Sequence, residues 1–116
     1  MTETSSEQAT VCARVGVTPM PCQPDSKVGI AVTTTGQLPL NALRHVPEAG
    51  TCGWYLWWGE ELSDAPDFFQ PLHVSHLDRY CSEIVPYLSL PPGWRVLLAP
   101  GHEDVWYDAG LLDAQS

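Results

Sequence analysis

Apolar positions alternate most regularly in the aromatic centre of the chain, where Trp54, Leu56 and Trp58 are interleaved with Tyr55 and Trp57. Successive side chains of a strand point to opposite faces, so this segment predicts a strand with large apolar groups on both faces. One face can close over a core. The other is either covered by a second layer of a small α+β domain or left as a binding surface for a partner.

Three further segments are rich in β-branched and apolar residues and predict strands: 28–35, 94–98 and 104–108. The last two are joined through a Pro-Gly sequence and are expected to form an antiparallel hairpin with a loop of about five residues. Arg95 would then lie opposite an acidic strand, where an ion pair with Glu103 or Asp104 would hold the register of the hairpin.

Apolar residues recur at three- and four-residue steps and predict the main helix over residues 74–85, or to residue 88 with a distorted last turn. Pro86 lacks a backbone donor and weakens or ends that helix. Residues 41–45 favour one helical turn. The order of strand, strand, helix and hairpin predicts an α+β fold, in which one main helix packs on one face of a mostly antiparallel sheet of about four to five strands.

The first part of the chain differs in composition from the rest. Residues 1–26 are rich in Thr, Ser, Glu, Gln and Pro without sustained periodicity, which favours a flexible N-terminal tail. Residues 11–17 could instead form a short edge strand. Residues 27–116 are expected to form a single domain, because a chain of this length can build one hydrophobic core.

The net charge of the chain limits the kinds of molecule that it is expected to bind. Fourteen acidic residues face five basic ones, a net charge of −9, which argues against binding to nucleic acid or to an anionic membrane. A basic protein partner fits this charge, although acidity that only keeps the protein soluble explains it equally well. We find neither an apolar run long enough to span a bilayer nor an export signal, so we expect a cytoplasmic protein with reduced cysteines.

Motifs for chemistry are weak. His73 and His76 form an HxxH pair that could hold one metal ion, with Asp64 or Asp67 as a third ligand, but this spacing is common by chance. The four cysteines form no CxxC pair, and neither a nucleophile elbow nor a glycine-rich phosphate loop is present. We therefore expect no cofactor and no resident metal.

Four segments together resemble a family of small bacterial proteins: 53–57 with 59–61, 67–73 with 76–77, 88–95 and 103–108. That family is assigned, largely from gene neighbourhood, as immunity proteins of polymorphic toxin systems. The likeness covers roughly residues 28 to 113, and its Pro-Pro-Gly-Trp-Arg and Glu-Asp-Val-Trp sequences are fairly specific for membership. The family has no established catalytic motif to carry over, and some members have no toxin partner in view.

The resemblance implies a non-catalytic protein that neutralises a cognate, basic toxin by direct contact. Aromatic side chains beside an acidic rim suit such a contact, since charge steers the partner and aromatics anchor it. The predicted contact residues are Trp57, Trp58, Glu60, Glu61, Asp64 and Asp67. Two alternatives stay open: a regulatory or interaction module without a toxin, and a small metal-binding enzyme built on His73, His76 and nearby carboxylates. The oligomeric state is not indicated.

Overall fold

The computed structural model describes residues 6–47, 50–60 and 68–112 of the 116-residue chain. These residues contain two α-helices, α1 (Ser6–Val15) and α2 (Asp78–Cys81), and short 3-10 helices at Val32–Thr34, Val74–His76, Ser82–Tyr87 and Ala109–Leu112. The strands are β1 (Lys27–Ile30), β2 (Leu40–Arg44), β3 (Thr51–Trp58), β4 (Gln70–His73), β5 (Trp94–Ala99) and β6 (His102–Tyr107).

All six strands belong to one sheet, in the order β4-β1-β3-β2-β5-β6. β1 and β3 run parallel, and the other neighbours run antiparallel. The chain forms β1 and then β2, and β3 fills the position between them. The α+β class is as predicted, but the sheet has six strands rather than four to five and is mixed. Residues 41–45, predicted as a helical turn, lie largely in the central strand β2.

The aromatic strand β3 is covered on both faces. Trp54, Leu56 and Trp58 belong to the larger core, which lies on the side of the helices. Trp57 belongs to a smaller core on the opposite face, and Tyr55 packs against it. The predicted alternation of side chains is therefore confirmed, and the interpretation that both faces are buried within the domain is confirmed with it.

The N-terminal segment differs from the flexible tail predicted for residues 1–26. Residues 6–15 form α1, and its Val11 and Cys12 are buried in the larger core. The helix ends in a hydrogen-bonded turn in which the Gly16 N–H donates to the Ala13 carbonyl at 3.2 Å and the Val17 N–H to the Cys12 carbonyl at 3.0 Å. The alternative prediction of an edge strand over residues 11–17 is also wrong, because residues 11–15 belong to α1 and residues 16 and 17 form the turn that closes it.

The predicted helix over residues 74–85 is divided into three short pieces. Its buried side is as predicted, since Leu77, Cys81 and Ile84 all pack into the larger core. The break lies at Cys81, whose φ of −158° and ψ of 71° interrupt helical geometry before the 3-10 helix Ser82–Tyr87. Tyr80, one residue before the break, faces solvent rather than the core.

The C-terminal hairpin is tighter than predicted. β5 and β6 pair antiparallel, as expected, but only two residues, Pro100 and Gly101, separate them instead of about five. This register places Arg95 opposite Trp106, with the guanidinium 5.5 Å from that ring. Arg95 consequently pairs with Asp108 at 3.1 Å, and the predicted pairing with Glu103 or Asp104 is wrong.

Candidate functional site

An open groove of about 650 Å³ lies at the end of the sheet where β3 ends and β5 turns into β6. Leu40, Trp58 and Leu98 lie side by side on neighbouring strands and form its floor. One wall is the 35–38 loop, and the other comes from Tyr80 and the 3-10 helix Ser82–Tyr87. We call this site the aromatic groove; its lining residues are Thr35, Gly36, Gln37, Leu38, Leu40, Trp58, Tyr80, Glu83, Tyr87, Leu98, Ala99, Pro100 and His102.

Two large side chains stand at the mouth of the aromatic groove. Leu38 is 60% exposed on the loop wall, and Tyr80 is 52% exposed on the helical wall. Single exposed apolar residues are ordinary on protein surfaces, but these two flank one concavity that has an apolar floor. The arrangement suits recognition of another molecule by shape and apolar contact.

One carboxylate lines the aromatic groove, and two others contact its lining residues Tyr87 and His102. Glu83 lies exposed in its helical wall. The Tyr87 hydroxyl donates to Glu103, and two nitrogens of Arg14 donate to the same carboxylate at 3.1 Å each. At the hairpin turn, the His102 ring lies 2.9 Å from the Asp104 carboxylate. The wall next to the hairpin is thus held by a polar network that also anchors α1.

The protonation states of this network follow from its hydrogen bonds. The bonds from Arg14, and then that from Tyr87, hold the pKa of Glu103 below its usual value. Burial, followed by the hydrogen bond to Glu103, raises the pKa of Tyr87 to about 12. At neutral pH Glu103 is therefore ionised, and Tyr87 keeps the proton that it donates.

The structure separates the predicted contact residues. Trp58, 6% exposed, lines the aromatic groove, whereas Trp57 lies on the opposite face, 5% exposed and 6.2 Å from the Phe69 ring in an edge-on contact. Glu60 is exposed and follows Gly59, whose N–H donates to the Pro39 carbonyl at 2.8 Å beside the loop wall. Three further predicted contacts lie outside the described residues: Glu61, Asp64 and Asp67.

Several groove residues carry no local signal in the sequence. Leu38 follows a predicted strand and resembles any loop leucine, and Glu83 lies among the polar positions of a predicted helix. Tyr80 fits the apolar period of that helix, so the sequence places it in the core. In the structure Tyr80 is instead 52% exposed and lines the aromatic groove.

The histidine pair lies elsewhere. His73 ends β4 and His76 lies in the next 3-10 helix; both are exposed, and their ring centroids are 5.8 Å apart. Within the described part of the chain, no group of three or more His, Cys, Asp and Glu side chains is placed to hold a metal ion. Asp64 and Asp67, the suggested third ligands, lie outside it. No helix among the described residues has the length and apolar character needed to cross a membrane.

Comparison with known proteins identifies the family. No curated protein and no solved structure matches the chain. A family model described as the Imm33-like domain matches residues 7–108. This match begins in α1, so the likeness extends further toward the N-terminus than residue 28, where the sequence motifs had placed its start. Since the match covers most of the chain, the protein belongs to the Imm33-like domain family, an immunity-protein-like family.

Proposed function

We propose that this protein is a non-catalytic immunity protein that neutralises a cognate toxin of a polymorphic toxin system by direct contact, in the cytoplasm. Membership of an immunity-protein-like family supports the class of function. The observation that carries the proposal is the aromatic groove, where exposed apolar side chains flank a concave apolar floor beside carboxylates.

The apolar side chains supply affinity. Leu38 and Tyr80 are more than half exposed, so a partner that covers both removes a substantial apolar area from water. Full burial of a side chain of this size contributes about 1.5–3 kcal/mol, and covering the exposed part of each corresponds to roughly 1–2 kcal/mol. A groove of about 650 Å³ can accept a protruding side chain or a loop of a partner protein.

The carboxylates attract and orient a basic partner. The chain carries a net charge of −9, and Glu83 and Glu60 lie in or beside the aromatic groove. A basic toxin surface would be attracted toward this end of the sheet and held in one orientation, which mainly raises the association rate. We therefore propose a basic partner.

The predicted contact residues take different roles in this proposal. Trp58 contributes the floor of the aromatic groove, and Glu60 contributes charge beside it. Glu61, Asp64 and Asp67 stay predicted contacts, since all three come shortly after Glu60 in the sequence. Trp57 is buried against Phe69, so we assign it to support of the strand rather than to contact with the toxin.

Co-expression tests this function. The toxin domain encoded beside the gene is expressed with the wild-type chain or with a Tyr80→Ala/Glu83→Lys variant, and growth and binding affinity are measured. The control is Tyr107→Ala/Asp78→Lys, which removes a tyrosine that is 50% exposed, close to the 52% of Tyr80, and reverses one exposed charge outside the aromatic groove. We expect the wild type and the control to restore growth, and the groove variant to bind at least about ten-fold more weakly.

Circular dichroism and thermal unfolding establish that both variants are folded before binding is compared. Equal binding by the groove variant and the wild type would remove the aromatic groove from the contact region. If the wild-type chain neither bound the toxin nor restored growth, the immunity function itself would lose its support.

A further inference from the structure

The two edges of the sheet differ in how well they are protected against pairing with a further strand. β4 forms one edge; it has only four residues and contains Pro71, which has no N–H to donate. Among the described residues, β6 forms the other edge; it has six residues, pairs with β5 in an unbroken register and contains neither proline nor lysine. All of its residues except Val105 are exposed. Another strand can therefore extend the sheet at β6.

The hairpin determines which backbone groups of β6 point away from β5. Only two residues separate the strands, so Ala99 and His102, which flank the turn, form a hydrogen-bonded pair. Such pairs recur at every second residue, and the Asp108 N–H donates to the Gly93 carbonyl at 2.6 Å, as this alternation requires. The even-numbered residues of β6 therefore bond to β5, and the N–H and C=O groups of residues 103, 105 and 107 face the open edge.

The carboxylates at this edge have partners within the chain. Arg14 pairs with Glu103 and Arg95 pairs with Asp108, at 3.1 Å each. Asp104 lies 2.9 Å from the ring of the histidine that begins β6. The edge therefore adds little to the net charge of −9, and a second acidic chain can approach it.

A second copy of β6 matches this edge in an antiparallel register centred on Val105. The outward backbone groups of the two strands then face each other, as hydrogen bonding between antiparallel strands requires. Twofold symmetry places Asp104 of each copy opposite Trp106 of the other. It likewise places Glu103 opposite Tyr107, so no two carboxylates are directly opposed.

The other registers that satisfy the same hydrogen-bonding rule are less favourable. Centring the pair on Asp104 sets this carboxylate opposite its own copy, and centring it on Trp106 sets Asp104 opposite Asp108. Registers centred closer to the ends of β6 pair fewer of its residues. The sequence of β6 is thus self-complementary in the register centred on Val105.

We infer that β6 is a dimerisation edge, at which two copies of the chain pair antiparallel about Val105 and join their sheets into one. Backbone hydrogen bonds from residues 103, 105 and 107 of each copy hold the pair together. Trp106 and Tyr107, 39% and 50% exposed, become partly covered where the strands meet. This inference does not depend on the proposed function, because the partner is a second copy of the chain rather than a toxin.

Sedimentation equilibrium of the full chain over a range of concentrations tests the inference. We expect a reversible equilibrium between monomer and dimer. Since each copy carries a net charge of −9, added salt should lower the dimer dissociation constant by at least about three-fold. The amide of Val105 should exchange its hydrogen at least about ten-fold more slowly in concentrated than in dilute solution. A monomer at every concentration up to about 1 mM would overturn the inference.

Substitution of Val105 identifies the surface. Val105→Pro removes an N–H that faces the edge and spares the bonds to β5, so it should raise the dissociation constant at least about ten-fold. The control, Val105→Thr, keeps this N–H and the β-branched shape, and it should dimerise like the wild type.

Circular dichroism and thermal unfolding establish that both variants are folded. Equal dimerisation by Val105→Pro and the wild type would assign the dimer to another surface and overturn the inference. If Val105→Pro does not fold, hydrogen exchange in the wild type decides. Exchange at Val105 that is as fast in concentrated as in dilute solution would then overturn it.

Discussion

Replacing Arg44 by methionine removes a buried guanidinium while keeping most of the volume of the side chain. Arg44 stands at the end of β2 and donates to carbonyl groups from three separate parts of the chain, at residues 20, 52 and 90. Its guanidinium carbon also lies 5.9 Å from the Trp54 ring centroid. The substitution therefore leaves several buried carbonyls without their donor and loosens the N-terminal segment together with the segment before β5.

The magnitude follows from these contacts. A hydrogen bond to a charged group contributes about 1.5–3 kcal/mol, so three short bonds would sum to roughly 5–9 kcal/mol. Burying a guanidinium without a carboxylate partner costs several kcal/mol, which offsets part of that sum. We expect Arg44→Met to lower the free energy of unfolding by about 3–5 kcal/mol.

Equilibrium unfolding in urea, followed by tryptophan fluorescence, measures this loss. The control is Arg79→Met, at an exposed arginine of α2, which should change the free energy of unfolding by less than about 0.5 kcal/mol. A loss below about 1 kcal/mol for Arg44→Met would refute the reasoning, because the carbonyl contacts would then give no net stabilisation.

Two further predictions concern a strand and a surface network. Gly53→Ala should lower the free energy of unfolding by more than about 3 kcal/mol, because φ is +94° and a Cβ would lie 2.1 Å from a backbone oxygen. The control is Gly50→Ala, at φ +79° in open space, which should lower it by only about 1–2 kcal/mol. Similar losses for the two variants in urea unfolding would contradict the predicted clash. The folded pKa of Glu103 is lowered by Arg14 first and Tyr87 second, so its stabilising contribution is present above the usual pKa of 4.5 and is lost as pH falls through the folded value. The free energy of unfolding of the Glu103→Gln variant should therefore depend less on pH in this acidic range than that of the wild type. An NMR titration that placed the pKa of Glu103 in the folded protein at or above 4.5 would contradict this prediction.

The elements that the sequence predicts well are those with a strict local period. Strict alternation in β3 predicts the strand and the face that each side chain occupies, because successive side chains of a strand must point to opposite faces of the sheet. Leu77 and Ile84 likewise fall on the buried side of their segment, even though the helix there is broken. The local sequence pattern is sufficient to predict which residues are buried when they all lie on one face of a single helix or strand.

The elements that the sequence does not predict depend on contacts between residues that are far apart in the chain. The sequence favours a helical turn at residues 41–45, which lie largely in β2, and Arg44 can be buried there only because carbonyls from remote segments accept its hydrogen bonds. The few apolar residues of α1 become a helix face because the core lies beneath them. The aromatic groove joins a loop, a helical wall and a hairpin turn, and their meeting depends on sheet order rather than on any spacing along the chain.

The double-sided burial of β3 has an evolutionary consequence. A strand whose side chains fill two cores tolerates few replacements, since each change alters the packing on one side or the other. The 35–38 loop and the exposed positions of residues 80–87 are under no such limit. If partners diverge, we expect adaptation in these walls while the aromatic strand stays fixed, so that one rigid scaffold can present many different recognition surfaces.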